Sequence, residues 1–384
     1  MKHGFAGALL GGTILTASLF ASASAAELPK TVQNGVIAFA ITDAHWGGNF
    51  SADVKAECPN GINEGPREQY KIMFPDPVPG APRRKLVDTQ LKMEMAQFFP
   101  MEWKDPTPYK EALGKTAIGL NLDGKVGPND FTSPDGTTGV DNQFYRALGC
   151  VGSYRGPNGN NFVFGNKWIR DKEYNRSIYE LSGVDDLQND ADVTVTVFRG
   201  TERMRVDAAG NDIMPGGSQP VNTRWGDKTF RTVLKGKIVN GVLMTEAHDV
   251  TMPWWQYGGG PGQYLIRGMR MQVKLTPTGG EGLIAGYVDV NSWNDSIVMS
   301  WHNLINAYGQ FQTASVYQSM MRLADGYPDP KTGANTAIST AIDARFAQVF
   351  VVHAPPAQAN AGASTQRLAQ STGIKTVNGT AEQR

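Results

Sequence analysis

The stretch "KGKIVNGVLMT", Lys235 to Thr245, decides the architecture. Asn240-Gly241 stands between two apolar-alternating runs, and a type I′ turn favours that pair because both central residues need φ above zero. Ile238-Val239 and Val242-Leu243 are therefore expected to pair as antiparallel neighbours. The same alternation recurs in "SIYELSGV" (177–184), "DVTVTVFRG" (192–200), "ERMRVDAAG" (202–210), "YLIRGMRMQVKL" (264–275) and "GLIAGYVDV" (282–290). "RGTER" (199–203) reads as a second tight turn and "TPTGGEG" (276–282) as a longer glycine-rich hairpin loop. Consecutive hairpins predict a mainly β chain with some α: an antiparallel β-sandwich or curved sheet, under a loop-rich, partly helical N-terminal layer. In the last run Ile284, Gly286 and Val288 share one face, and Ala285, Tyr287 and Asp289 share the other.

Outside this region the pattern is more mixed. "NGVIAFAITDAHW" (34–46) reads as a strand, and "EGPREQYKIMF" (64–74) as a short helix with Pro66 near its start. "PDPVPGAPRR" (75–84) is barred from helix and central strand by its prolines. "KLVDTQLKMEMAQFF" (85–99) carries helical spacing, and "VDNQFYRALGC" (140–150) predicts a short helix with Asp141 as cap and Gly149 at its end. "SVYQSMMRLADG" (315–326) reads as a helix stopped by Gly326 and Pro328, and "ARFAQVFVV" (344–352) as a last strand or a helix feeding one. The divisions are 1–26, a signal peptide; 27–175, loop-rich α+β; 176–353, antiparallel β, one unit with the preceding region; and 354–384, a polar tail unable to offset its ordering entropy.

Compartment follows from the first residues. Lys2 and His3, a short apolar run and "ASASAA" make a secretory leader with cleavage after Ala25 or Ala26, too short and small-residue-rich for a membrane span. A periplasmic or secreted protein is expected, with no transmembrane segment. Lys plus Arg and Asp plus Glu number 36 each, which argues against nucleic acid, whose phosphates require a basic surface. The only cysteines, Cys58 and Cys150, stand 92 positions apart. In an oxidising compartment they are read as a disulfide rather than two buried thiols, worth roughly 4 kcal/mol by loop closure.

One loop raises a metal question. In "GLNLDGKVGPND" (119–130), with Gly124 at the sharp turn, Asn121, Asp123, the Lys125 carbonyl and Asp130 occupy the spacing of a calcium loop, and a non-EF site could recruit Asp135, Asp141 or Asn142. The run resembles the loops of dockerin modules, which implies a structural Ca2+. Gly119 offers no first ligand, however, and Asp-Gly is also an ordinary turn pair. Both readings stand.

The remaining candidates are weaker. "MPWWQYGGGPGQY" (252–264) sets Trp254, Trp255 and Tyr257 about a glycine-rich loop, either as a stacking platform for a saccharide or as rings covering a core. His45 and His302 are general-base candidates, with a structural role the commoner fate. "GVDDLQNDADV" (183–193) is rich in carboxylates and reads as a solvated loop. Neither a G-x-S-x-G elbow nor H-E-x-x-H occurs.

"FTSPDGTTGVDNQFYRALGC" (131–150) and "RLADGYPDPKTGANTAIS" (322–339) together resemble a group of uncharacterised exported bacterial proteins, with the likeness running from "ECPNG" (57–61) to "FVVH" (350–353). That resemblance implies one evolutionary unit and no activity, ligand or catalytic residue. The leading expectation is an exported, non-enzymatic structural or binding protein with a saccharide or cell-envelope partner. The alternative is a carbohydrate-binding protein or glycoside hydrolase using the aromatic segment.

Overall fold

The structure is a computed structural model that describes residues 32–47, 54–63, 78–82, 98–104, 108–155, 165–167, 169–170, 176–200, 202–209, 213–221, 230–255, 261–301 and 313–353. In chain order its elements are β1 (Val36–Trp46), α1 (Val54–Glu57), α2 (Gln143–Leu148), β2 (Arg176–Ser182), β3 (Asn189–Gly200), β4 (Gly217–Pro220), β5 (Thr232–Val239), β6 (Val242–Thr245), β7 (His248–Trp255), β8 (Pro261–Thr276), β9 (Gly279–Asp289), α3 (Val290–Trp301), α4 (Thr313–Leu323), β10 (Gly326–Pro328) and β11 (Asn335–Val352). Residues 1–26, the segment expected to be helical at 64–74, all but the last two residues of that at 85–99, and residues 354–384 lie outside the described residues.

The Asn240-Gly241 turn forms as expected. Both residues have positive φ, 50° and 75°, and Val239 of β5 faces Val242 of β6. From there the sheet runs β1-β2-β3-β5-β6-β8-β9-β11, and β11 pairs back onto β1, with Ala38 opposite Val349 and Trp46 opposite Ile342. That last pairing closes an eight-stranded antiparallel barrel and corrects the sandwich expectation. A sandwich keeps free edges, whereas β1 and β11 remove them by joining across most of the chain. The chain before and after residue 175 thus shares one sheet.

Two turns differ from their expected form. Gly200 ends β3, but "RGTER" is no hairpin; β4, which pairs with β11, stands in the chain before β5 pairs with β3. Met204 and Val221 cover Ala38, Ala40, Ile178 and Val349 on the barrel's outside. The "TPTGGEG" loop is instead a tight turn at Pro277-Thr278, with the glycines inside β9. They are there because β11 and β8 press on the strand: a Cβ on Gly279 would lie 1.8 Å from the Phe346 carbonyl, and one on Gly280 would lie 2.8 Å from Val273.

The barrel is filled by its own side chains, as eight strands permit. Phe39, Tyr179, Leu234, Leu243, Met271 and Ile342 are all buried in one cluster. At the end opposite the hairpin turns, α2, α3 and α4 pack over the opening. Trp46 stacks on Phe144 at 4.4 Å, and Phe144 meets Trp293 edge-on at 6.0 Å. Helix α2 is capped by Asn142, one residue after the expected Asp141, through its side chain to the Tyr145 N–H, and it ends at Gly149. Helix α3 was not anticipated, because its apolar residues merge with the strand pattern of β9.

Outward-facing residues on the barrel wall include Lys235, Lys237, Lys274, Glu281 and Arg345. A bilayer-spanning barrel carries an apolar band there, with charges near the midplane costing about 2–4 kcal/mol each. Here the interior is apolar, and these charged side chains stand on the outer wall. Among the described residues, no helix is long and apolar enough to cross a membrane.

Cys58 and Cys150 form a disulfide with Cα atoms 5.7 Å apart. It anchors a small satellite core with Ala112, Phe131, Val140 and Tyr145. Beside it the nearly buried Glu57 carboxylate pairs with Arg155 at 2.5 Å. Burial and the neighbouring Glu57 push the Tyr145 phenol up to about 12.

Candidate functional site

The site begins with an irregularity in β8. Along that strand Ile266, Met269, Met271 and Val273 are buried in the barrel, a pattern that skips one step at Gly268. Pairing with β9 passes from Arg267 opposite Tyr287 to Arg270 opposite Ala285, and pairing with β7 shifts between His248 and Val250. This is a bulge, and Gly268 supplies its positive φ of 56°. Strict alternation would send Arg267 and Arg270 to opposite faces. With the extra residue their partners Tyr287 and Ala285 lie two apart, so both arginines emerge on the outer wall.

Tyr327 lies over the first of them. The Arg267 guanidinium is 5.4 Å from the Tyr327 ring centroid, and it also approaches Asp249 at 3.6 Å and Asp289 at 3.5 Å. Tyr327 in turn meets Tyr287 edge-on, with centroids 5.6 Å apart. Two glycines make the room: a Cβ on Gly326 would lie 2.6 Å from the Tyr287 ring, and one on Gly268 would lie 2.7 Å from the Tyr327 hydroxyl.

Two features of this arrangement oppose stability. Tyr327 has φ of 56°, in the left-handed region, although it is bulky and precedes Pro328, a context that favours extended backbone. Such a conformation costs of order 1–3 kcal/mol. The Arg267 Nε–H is buried with no hydrogen-bond partner among the described residues, a further ~1–3 kcal/mol. Tyr327 itself remains 37% exposed.

The 119–142 segment forms the acidic flank. Leu122 is buried against Ala285 and Ala341, pinning the loop on the outer face that carries Tyr287. Asp141 Oδ2 accepts the Leu122 N–H at 2.6 Å and the Asp123 N–H at 3.3 Å, while Arg270 donates to the Asn121 carbonyl at 3.4 Å. Burial raises the Asp141 carboxyl despite those hydrogen bonds, and the nearby Asp123 and Asp130 add to the shift. Burial, then the charges of Asp141, Asp325 and Asp123, push the Tyr287 phenol well up.

Asp325 and Ser339 tie the layers together. Ser339, fully buried on β11, donates its hydroxyl to Asp325 Oδ2 at 2.6 Å and accepts the Gln143 N–H at 2.9 Å, while its own N–H reaches Asp325 Oδ1 at 2.7 Å. Burial lifts the Asp325 carboxyl to about 6, against the two hydrogen bonds from Ser339. Gln143 comes from the 131–150 stretch and Asp325 from the 322–339 stretch, so two segments far apart in sequence converge on one hydroxyl. Because Ser339 is sealed from solvent, it serves this junction and not nucleophilic chemistry.

The expected metal donors are engaged in their own turns. Asn121 Oδ1 accepts the Gly124 N–H and the Asn121 amide donates to the Lys125 carbonyl. Asp123 Oδ1 accepts from Lys125 N, and Asp130 Oδ2 accepts from Gly127 N. Asp135 accepts from Ser133 and Thr137, which lowers its carboxyl. Gly139 lets the two loops touch, since a Cβ there would lie 2.6 Å from the Lys125 carbonyl. Among the described residues no group of three or more His, Cys, Asp or Glu is placed to hold a metal ion. These hydrogen bonds close a pair of turns with one oxygen each of Asn121, Asp123 and Asp130.

Trp254 and Trp255 lie on β7 opposite Gly262 and Pro261; their side chains, and Tyr257, lie outside the described residues. His45 is on the outer face of β1 opposite Asp343, away from the site, and burial lowers it to about 4, with Asp43 opposing and Arg345 assisting. His302 lies outside the described residues. In the acidic loop, the Asp190 carboxylate caps the N–H groups of Asp185 and Asp192. The sequence reading missed Arg267, Tyr287, Asp325 and Tyr327 as a group. The available signal was a glycine between two arginines inside an alternating strand, which marks a bulge. No protein-family model, curated protein or solved structure matches the chain.

Proposed function

We propose that the chain is an exported, non-catalytic binding protein whose closed barrel is a rigid mount for the Tyr327–Arg267 site. One observation carries this reading: Tyr327 is held in a left-handed conformation, partly exposed, over an arginine that a bulge turns outward. A fold selected for stability alone would place Gly or Asn there. Strain retained at a surface aromatic points to a contact made with something else. The polar groups beside it favour binding over chemistry, since Ser339 is sealed and Asp141 and Asp325 hold backbone and hydroxyl donors. Export is supported by the leader-like N-terminus, by the Cys58–Cys150 disulfide, and by the charged outer wall that suits an aqueous surface.

The test is urea unfolding of Tyr327→Gly. The variant loses the ring contacts, worth about 0.5–1.5 kcal/mol for each aromatic or cation–π partner. It also sheds backbone strain of similar size. Stability within about 1 kcal/mol of the parent is expected. A loss near 3 kcal/mol, as for a truncated core aromatic, would make Tyr327 a packing residue and remove the support for the proposal.

A further inference from the structure

We infer that the Tyr327–Arg267 site takes a neutral saccharide, an inference that rests on the binding role proposed above and names its ligand class. The site offers an aromatic ring partly open to solvent, at 37% exposure, with a planar guanidinium beneath it and a second phenol at its edge. Sugar rings present one apolar C–H face and a rim of vicinal hydroxyls. The face suits an aromatic ring, which gives contact area at little entropic cost. The rim suits planar groups that donate or accept in pairs, and Arg267 with Asp249 and Asp289 supplies both kinds.

Charge decides against the other ligand classes. Arg267 is already paired with Asp249 and Asp289, and Tyr327 itself faces Asp249 against Arg267 and Arg270. A phosphate or sulfate would have to compete with the carboxylates that Arg267 already holds. A cation would compete with two fixed guanidinium groups. A neutral polyol avoids both penalties and uses the donors and acceptors side by side. The position differs from the 252–257 aromatic segment, so the two locations are separable.

The experiment is calorimetric titration of the mature protein with four neutral tetrasaccharides, the β-1,4-glucose, α-1,4-glucose, β-1,4-N-acetylglucosamine and β-1,4-mannose series. Inorganic pyrophosphate serves as the anion. The variants are Tyr327→Ala, Arg267→Lys and Trp254→Ala, each first shown to unfold cooperatively in urea. Binding of at least one tetrasaccharide is expected, weakened about tenfold or more in Tyr327→Ala, weakened in Arg267→Lys because the planar fork is lost, and unchanged in Trp254→Ala. Saccharide binding lost only in Trp254→Ala would overturn the inference and place the site on β7. Tyr327-dependent binding of pyrophosphate without any saccharide would overturn the ligand class while leaving the binding role standing. No heat from any probe would overturn the saccharide assignment, and the binding role would then rest on the unfolding test of Tyr327→Gly alone.

Discussion

Asp325 offers the sharpest test of how the layers are joined, because its burial and its partners pull its ionisation in opposite directions. Burial raises the carboxyl from 3.8 to about 6, although Ser339 donates two hydrogen bonds to its charged form. The sign follows from linkage. The folded state holds this proton more tightly than the unfolded state, so the group's contribution to stability is fully present below about 4 and is lost as pH rises through about 6. With 1.36 kcal/mol per unit, the swing between pH 8 and pH 4 is about 2.5 kcal/mol. Asp325→Asn cannot titrate, and its amide oxygen can still accept the Ser339 N–H. Relative to the parent, the variant should be nearly neutral at pH 8, where loss of a charged hydrogen bond is offset by loss of the desolvation penalty. At pH 4 it should fall behind by about 2.5 kcal/mol more. Urea unfolding of both proteins at the two pH values measures this directly, because every other titration cancels in the difference. A difference constant to within about 0.5 kcal/mol would refute the reasoning and return Asp325 to an ordinary, solvated carboxyl.

Three further expectations follow from the same structure. His45, lowered to about 4 by burial, is neutral in the fold at neutral pH; its contribution is present above about 6.5 and is lost as pH falls through 4. An NMR titration midpoint of 6 or above for His45 would contradict this. Gly279→Ala sets a Cβ against the Phe346 carbonyl at 1.8 Å and should cost about 3 kcal/mol or more, read as a fall in the urea midpoint. A smaller loss would mean that β9 and β11 separate easily there. Millimolar calcium should leave the melting temperature unchanged, in the parent and in Asp123→Ala alike, because the loop oxygens already accept N–H groups. A calcium-dependent rise absent from the variant would restore the metal reading of Asn121 to Asp130.

What could be read in advance was local. The Asn240-Gly241 turn, the helix ending at Gly149 and the strand at 36–46 each depend on residues within a few positions of one another, and each forms. Barrel closure depends on Ala38 meeting Val349, a register that no local pattern encodes. The same distance hid the reason for Gly279 and Gly280. In sequence they look like loop glycines, yet they are strand residues thinned to admit the Phe346 backbone and Val273.

The candidate site was hidden for a different reason. Its parts come from five places: Asp249 on β7, Arg267 and Arg270 on β8, Tyr287 and Asp289 on β9, Tyr327 on β10 and Asp141 before α2. Each was individually bland. Tyr287 shares a strand face with Ala285 and Asp289, Asp325 falls at the end of the expected helix 315–326, and Gly326 and Pro328 read as its stop. The bulge at Gly268 changes their meaning, since one additional residue turns a second arginine outward and brings both beside the tyrosines. Without it, Arg267 or Arg270 would face the apolar interior beside Ile266 and Met271. The glycine thus belongs to the site rather than to the sheet. The local strain at Tyr327 has the same logic: the strand pairs Gly326 and Pro328 with β11 and leaves the residue between them turned over Arg267. Irregular backbone at two adjacent points, each unfavourable alone and each needed to place one aromatic ring, is the physical ground for reading this wall of the barrel as a working surface.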